Sequence, residues 1–414
     1  MRKPNDSYRP ILPLSPRPPF PATQRKGESG CYHPLSNLVG EGVGGEAVFI
    51  RCSYQHPRYY WHKLLALLLV FSAALLLGLF SPAHAQDTPA RVEVFLAQNL
   101  QTGEARISFM DPLSGLSRVV NVENGQRFLL VGNYVLYEKV ATGAVMRANA
   151  DGTLEPHPFI RRAVDTRSLY WVASADGRAV AWVQVNQAGV SEAYTALADG
   201  SDLRQLPIST PGAALELFPL AITNDPRRFF YDAAHPVPAT DNLYDVFTHV
   251  VEYHMVGEVF VPLPDEPNCP CAASISADGR ILGRLEAAQG IGPFALHIWD
   301  MPTGADILIP APGLPFRVAG DLLLNNTGTL AVYSASAEAA GGQHTLILAD
   351  MVTQSQIALL TPGPARYRPL AFIDEDNALL LAGISEGGTY KFDLANKTLQ
   401  RVSNEIYLGT ITAE

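Results

Sequence analysis

Basic residues are scarce, with 30 Lys or Arg against 40 Asp or Glu in 414 residues. The first 85 residues hold 9 of the basic and 4 of the acidic ones, so the chain after Ala85 is near −15. Such a surface repels a phosphate backbone, and no basic stripe with interleaved aromatics interrupts it, which excludes nucleic acid as a partner. Cysteine is rarer, with four in the chain. Cys31 and Cys52 lie in the first 85 residues, and Cys269 and Cys271 form a C-x-C pair with no other Cys or His close by in sequence. Two ligands are too few for four-coordinate zinc, so the pair reads as a loop disulfide or two free thiols. His157, His235, His249, His254, His297 and His344 show neither H-x-H nor H-E-x-x-H spacing, so no metal, cofactor or catalytic set is expected.

Long apolar runs are missing after residue 80. The run before it, Leu64 to Phe80, follows Arg58, His62 and Lys63 and leads into Ser81-Pro82-Ala83-His84-Ala85. A charged flank, a Leu-rich core and small residues at Ala83 and Ala85 predict a signal peptide over residues 64–85, cleaved after Ala85. Left uncleaved, residues 64–80 would anchor the chain, at the lower edge of the roughly 17 to 25 residues that span a bilayer. Residues 1–63, with seven prolines between Pro4 and Pro21 and a Gly-rich stretch from Gly40 to Gly45, cannot bury a core. They read as a disordered leader or as a start placed too far upstream. The body is therefore expected outside the cytoplasm, as a periplasmic, cell-surface or secreted monomer.

What is plentiful is Gly (33) and Pro (32), which favours short strands joined by tight turns. One turn recurs as Ser174-Ala175-Asp176-Gly177-Arg178, Thr223-Asn224-Asp225, Ser276-Ala277-Asp278-Gly279-Arg280, Asn325-Asn326-Thr327 and Asp374-Glu375-Asp376, in steps of 49, 53, 49 and 49 residues. A second turn recurs out of phase, from Phe109–Gly115 through Ile298–Gly304 to Phe392–Lys397, seven times in all. Two hairpins per period make four strands per unit. A twisted four-stranded sheet cannot cover both its faces alone, and radial packing against equal neighbours covers them. The prediction is an all-β, β-propeller domain over residues 91–414, with seven blades and six or eight as alternatives. The first unit lacks an innermost strand and a spare strand follows the last, Glu405 to Thr412, so the C-terminal strand is expected to close the ring.

The Ser-Ala-Asp-Gly-Arg turns at Ser174 and Ser276 resemble the repeat turn of TolB-like (PD40) propellers, and His297 to Gly304 is similar to the strand end of a WD40 repeat. Ala175 and Ala277 replace the usual Pro, and the Gly-His dipeptide of WD40 repeats is missing. The resemblance implies a fold shared by unrelated functions.

Candidate chemistry is thin. Gly383-Ile384-Ser385-Glu386-Gly387 matches the G-x-S-x-G elbow, but no His follows it and it sits between two strands, so it reads as a turn. Asp111, Asp300, Asp350 and Asp393 recur at one turn position as acceptors of backbone N–H groups. The innermost strands, read as 169–173, 217–222, 272–275, 320–324 and 370–373, carry no catalytic acid, base or nucleophile except Asp321. The fourth unit is enlarged at Ala233–Val250, and its His235, Tyr244 and Phe247 form the candidate binding loop. The expected function is a non-enzymatic scaffold for a protein or glycan. The alternatives are a lyase or hydrolase with residues gathered from several blades, and a regulatory propeller for a catalytic partner.

Overall fold

The computed structural model describes residues 91–412, except 100–101, 209–214, 226, 237–243, 245, 264–271, 288–292 and 338–341. The segment 1–63, the segment 64–85 with Ala83 and Ala85, and Cys269 and Cys271 lie outside the described residues. Among these residues there are twenty-eight strands in seven four-stranded antiparallel sheets. Six blades are contiguous in sequence, at 125–156, 166–206, 215–262, 273–309, 318–358 and 367–403 (blades 2 to 7). Blade 1 combines 91–122 with the last strand, Ile406–Thr412.

That last strand is the innermost of blade 1 and pairs with Arg91–Gln98, from Arg91 opposite Thr412 to Leu96 opposite Ile406. Thr389 of blade 7 fastens it, its hydroxyl donating to Glu405 O at 2.6 Å and accepting from Tyr407 N at 2.8 Å. The ring is seven-bladed and closed as expected.

Both recurrent motifs are hairpin turns at one end of the ring. The 49-residue motif joins the innermost strand to the second, and the other joins the third to the outermost. Ser174 Oγ donates to Asp176 (2.6 Å) and accepts from Ala179 N (3.0 Å), and Asp176 accepts from Arg178 N (3.1 Å). Ser276, Asp278, Arg280 and Ile281 repeat the arrangement 102 residues on. These turns also link neighbouring blades. Gly132 N donates to Gly177 O, Asp176 N to Asn224 Oδ1, Asn224 N to Ala277 O, and Asn325 Nδ2 to Asp376 Oδ2, at 2.7 to 3.0 Å.

The apolar core is divided among the blade interfaces. Val183, Phe229 and Tyr231 fill the space between blades 3 and 4, Leu285, Tyr333 and Ile347 that between blades 5 and 6, and Ile107, Phe109 and Tyr137 that between blades 1 and 2. Each sheet thus loses its apolar faces from water only beside its neighbours.

Candidate functional site

The innermost strands are Ile406–Thr412, Gly125–Val131, Thr166–Ala173, Leu215–Ile222, Ala273–Ile275, Val318–Leu324 and Tyr367–Ile373, for blades 1 to 7. All begin at the end opposite the recurrent turns, here called the entrance end. Six of them carry a register shift against the second strand. Bulges re-aim side chains, and in blades 2 and 6 they put Arg127 (φ 57°) and Asp321 (φ 51°) in the left-handed region.

Strand starts correct the expectation that these strands carry only Asp321. They begin two to three residues earlier than the apolar runs suggested in blades 3, 4 and 7, and the added residues include Arg167, Glu216 and Arg368. Blade 2, whose inner strand the sequence did not place, adds Arg127. Glu138, at the end of the second strand of blade 2, is buried beneath them. It accepts from Gln126 Nε2 at 3.0 Å and from Arg162 Nη1, with Arg127 Nη1 at 3.7 Å. Arg162, on the connection from blade 2 to blade 3, also donates to the carbonyls of Thr166 and Arg167 at 2.8 and 2.9 Å. Arg167 then clamps the buried Glu216 of blade 4, through Nε at 2.9 Å and Nη2 at 2.6 Å. Tyr170 donates to the other oxygen of Glu216 at 2.8 Å. Arg127 lies over the Tyr170 ring at 5.2 Å and donates to Leu169 O. Burial, followed by the bond to Glu216, raises the Tyr170 hydroxyl pKa. Three arginines and two carboxylates thus join blades 2, 3 and 4.

The enlarged part of blade 4 is a connection between second and third strands. The second strand runs to Pro236, so His235 belongs to it, opposite Glu216. Tyr244 and Phe247 point inward. Phe247 is buried with its ring 6.0 Å from Phe218, which is 4.8 Å from Tyr170. Tyr244 lies under Arg366, 4.5 Å from guanidinium to ring, and against Gly320 of blade 6, where a Cβ would collide with it. Arg366 in turn meets Asp321 at 3.1 Å. Burial pushes the Tyr244 hydroxyl pKa up. Asp232 anchors the returning chain, accepting from Thr248 N and His249 N at 2.9 and 3.0 Å.

Among the described residues the histidine side chains do not converge. His157 is buried at the start of the connection from blade 2 to blade 3, His254 bonds Glu252 in blade 4, and His297 sits between Glu286 and Asp306 of blade 5, at 2.9 Å from each. Among the described residues no group of three His, Cys, Asp or Glu is arranged to hold a metal, and no helix is long and apolar enough to cross a membrane. Ser385 lies in the hairpin turn between Ala378–Gly383 and Thr389–Asp393, its hydroxyl accepting from Arg366 N at 3.2 Å. Asp111, Asp350 and Asp393 accept turn N–H groups, while Asp300 is held by Arg280 at 2.8 Å. The carboxylates of Asp374 and Asp376 face different partners, Lys391 and Asn325.

No family model and no curated protein matches the chain. Solved structures with a similar fold include an oligogalacturonate lyase in complex with manganese, at 12% identity over 73% of this chain and 96% of that one, with a TM-score of 0.50. A puromycin hydrolase is similar at 13% identity over 78% of this chain, TM-score 0.50. TolB from Acinetobacter baumannii is similar at 15% identity over 67% of this chain, TM-score 0.41. The chain spans 64% of that TolB and 54% of the hydrolase. At such identities the likeness speaks for the fold alone: the chain is a β-propeller with TolB-like repeat turns.

Proposed function

We propose that the chain is an exported, non-catalytic propeller whose entrance end is a recognition platform for a partner outside the cytoplasm. The observation that carries this reading is the state of the channel-mouth carboxylates. Glu138 and Glu216 are buried and each is clamped by an arginine of an adjoining blade or connection. A general acid or base must be within reach of a substrate proton, and these oxygens are occupied in holding blades together. A rigid frame with a guanidinium-lined mouth suits binding. Export rests on the Leu64 to Phe80 run and the Ala83 and Ala85 positions. The fold itself does not choose between binding and catalysis, since similar structures include a lyase and a hydrolase.

The test is a glycan array and an affinity capture with the full chain, repeated after residues 237–249 are replaced by a short turn. The expected result is a ligand retained and recovered unmodified, with weaker retention once the connection is shortened. Recovery of the ligand cleaved would overturn the non-catalytic reading.

A further inference from the structure

Beside the arginine cluster the entrance end of blades 2 and 3 exposes three valines. Val140 is 55% exposed, Val164 fully and Val190 43%. They stand on three adjoining segments. Val140 opens the turn whose Gly143 lies against the Arg162 side chain, leaving no room there for a Cβ. Val164 follows Arg162 on the connection into blade 3. The backbone carbonyl of its neighbour Asp165 accepts at 2.9 Å from Gln187 N, in the turn that ends at Val190. Isolated exposed valines are ordinary, whereas three on contiguous loops form an apolar patch.

The charge beside this patch is layered. Glu138 and Glu216 lie beneath, each about 1% exposed, while the side chain of Arg127 is 40% exposed and those of Arg162 and Arg167 about a quarter. An approaching molecule therefore meets guanidinium before carboxylate, with Asp165 as the exposed acid on the connection. Arg162 spends its donors within the protein. Nε and Nη2 of Arg127 and Nη1 of Arg167 have no hydrogen-bond partner among the described residues. Arg127 also holds its place at a bulge with φ 57°, a backbone state that is costly for a residue other than glycine and clusters at functional positions.

Resting on the platform reading above, we infer that this surface docks an acidic, aliphatic peptide segment of a partner protein. Arg127 and Arg167 take its carboxylates, and Val140, Val164 and Val190 pack its aliphatic side chains. Guanidinium forks match carboxylates. On a body that is otherwise strongly acidic, guanidinium groups standing outermost over their buried carboxylates draw an acidic segment to themselves. Branched aliphatic groups favour a peptide over a sugar, whose flat faces are better met by aromatic rings.

The experiment is fluorescence anisotropy on the full chain with a labelled peptide of alternating Glu and Leu, its Lys-for-Glu counterpart, and labelled oligogalacturonate as an acidic glycan. The Glu peptide should bind at least about tenfold more tightly than the Lys peptide, and more weakly as salt rises from about 50 to about 300 mM. Val164→Asp should weaken it about tenfold at an unchanged melting temperature, and Arg127→Gln likewise, whereas Val256→Asp on another exposed turn should leave it unaltered. Equal affinity for the two peptides, or undiminished binding by Val164→Asp, would overturn the assignment. Oligogalacturonate bound instead of the peptide, and lost in Arg127→Gln, would overturn the peptide while leaving the platform reading intact. Cleavage of either probe would overturn the platform reading as well.

Discussion

His157 shows how a single buried side chain sets a pH dependence. Ile160 N donates to its Nδ1 at 2.9 Å, so Nε2 carries the proton and faces Tyr134 Oη at 3.1 Å. Tyr134 passes the chain on to Ala198 O of blade 3 at 3.2 Å. Burial, with a smaller push from Arg147, lowers the His157 pKa from 6.5 to about 4. The unfolded chain gains this proton near pH 6.5 and the folded chain only near 4, so the contribution is complete above 6.5 and is lost as the pH falls towards 4. Between pH 7.5 and 4.5 the loss is about 2 to 3 kcal/mol. Urea unfolding across that range should show it, and His157→Gln should flatten the curve by about that amount. An identical slope in the variant would contradict the assignment. The same scale holds what the sequence conceals. Arg127, Arg167 and Glu216 sit at or before the point where the apolar runs begin, and their burial comes from pairing between blades, which no local pattern encodes. Tyr244 and Phe247 stand out in an enlarged connection, but Gly320 and Phe218, which turn them inward, are distant in sequence.

At the scale of the element, the first recurrent turn is the most legible feature because its chemistry is local. A Ser and an Asp two residues later satisfy N–H groups within their own hairpin, and the spacing alone announces it. The bonds from turn to turn around the ring are not announced, since they depend on the neighbouring blade's position. Ser174→Ala removes the acceptor of Ala179 N inside a buried turn. The expected cost is about 1 to 2 kcal/mol, read as a lower urea midpoint with an unchanged slope, and an unchanged midpoint would show the turn to be dispensable. Inner-strand bulges are not legible, since a register shift exists only between two paired strands and no local residue pattern marks it.

At the scale of the whole molecule, the period near 49 residues and the leftover strand at the end together specify the closed ring. Seven second-type turns became seven blades, and the strand without a unit became the innermost strand of blade 1. Composition could not say at which end of the ring the arginine–glutamate cluster lies, because arginine and glutamate are spread along the chain and converge only through the circular arrangement. The fold depends on that arrangement, in which every blade hides its faces against two neighbours and blade 1 is built from both ends of the propeller segment. Thermal unfolding of the full chain beside a chain ending at Asn404 tests it most directly. Loss of Ile406–Thr412 opens blade 1, so the shortened chain should melt at least about 10 °C lower or lose its cooperative transition, and a synthetic peptide of residues 405–412 should restore part of the difference. A shortened chain that melts at the same temperature with the same cooperativity would contradict the closed ring.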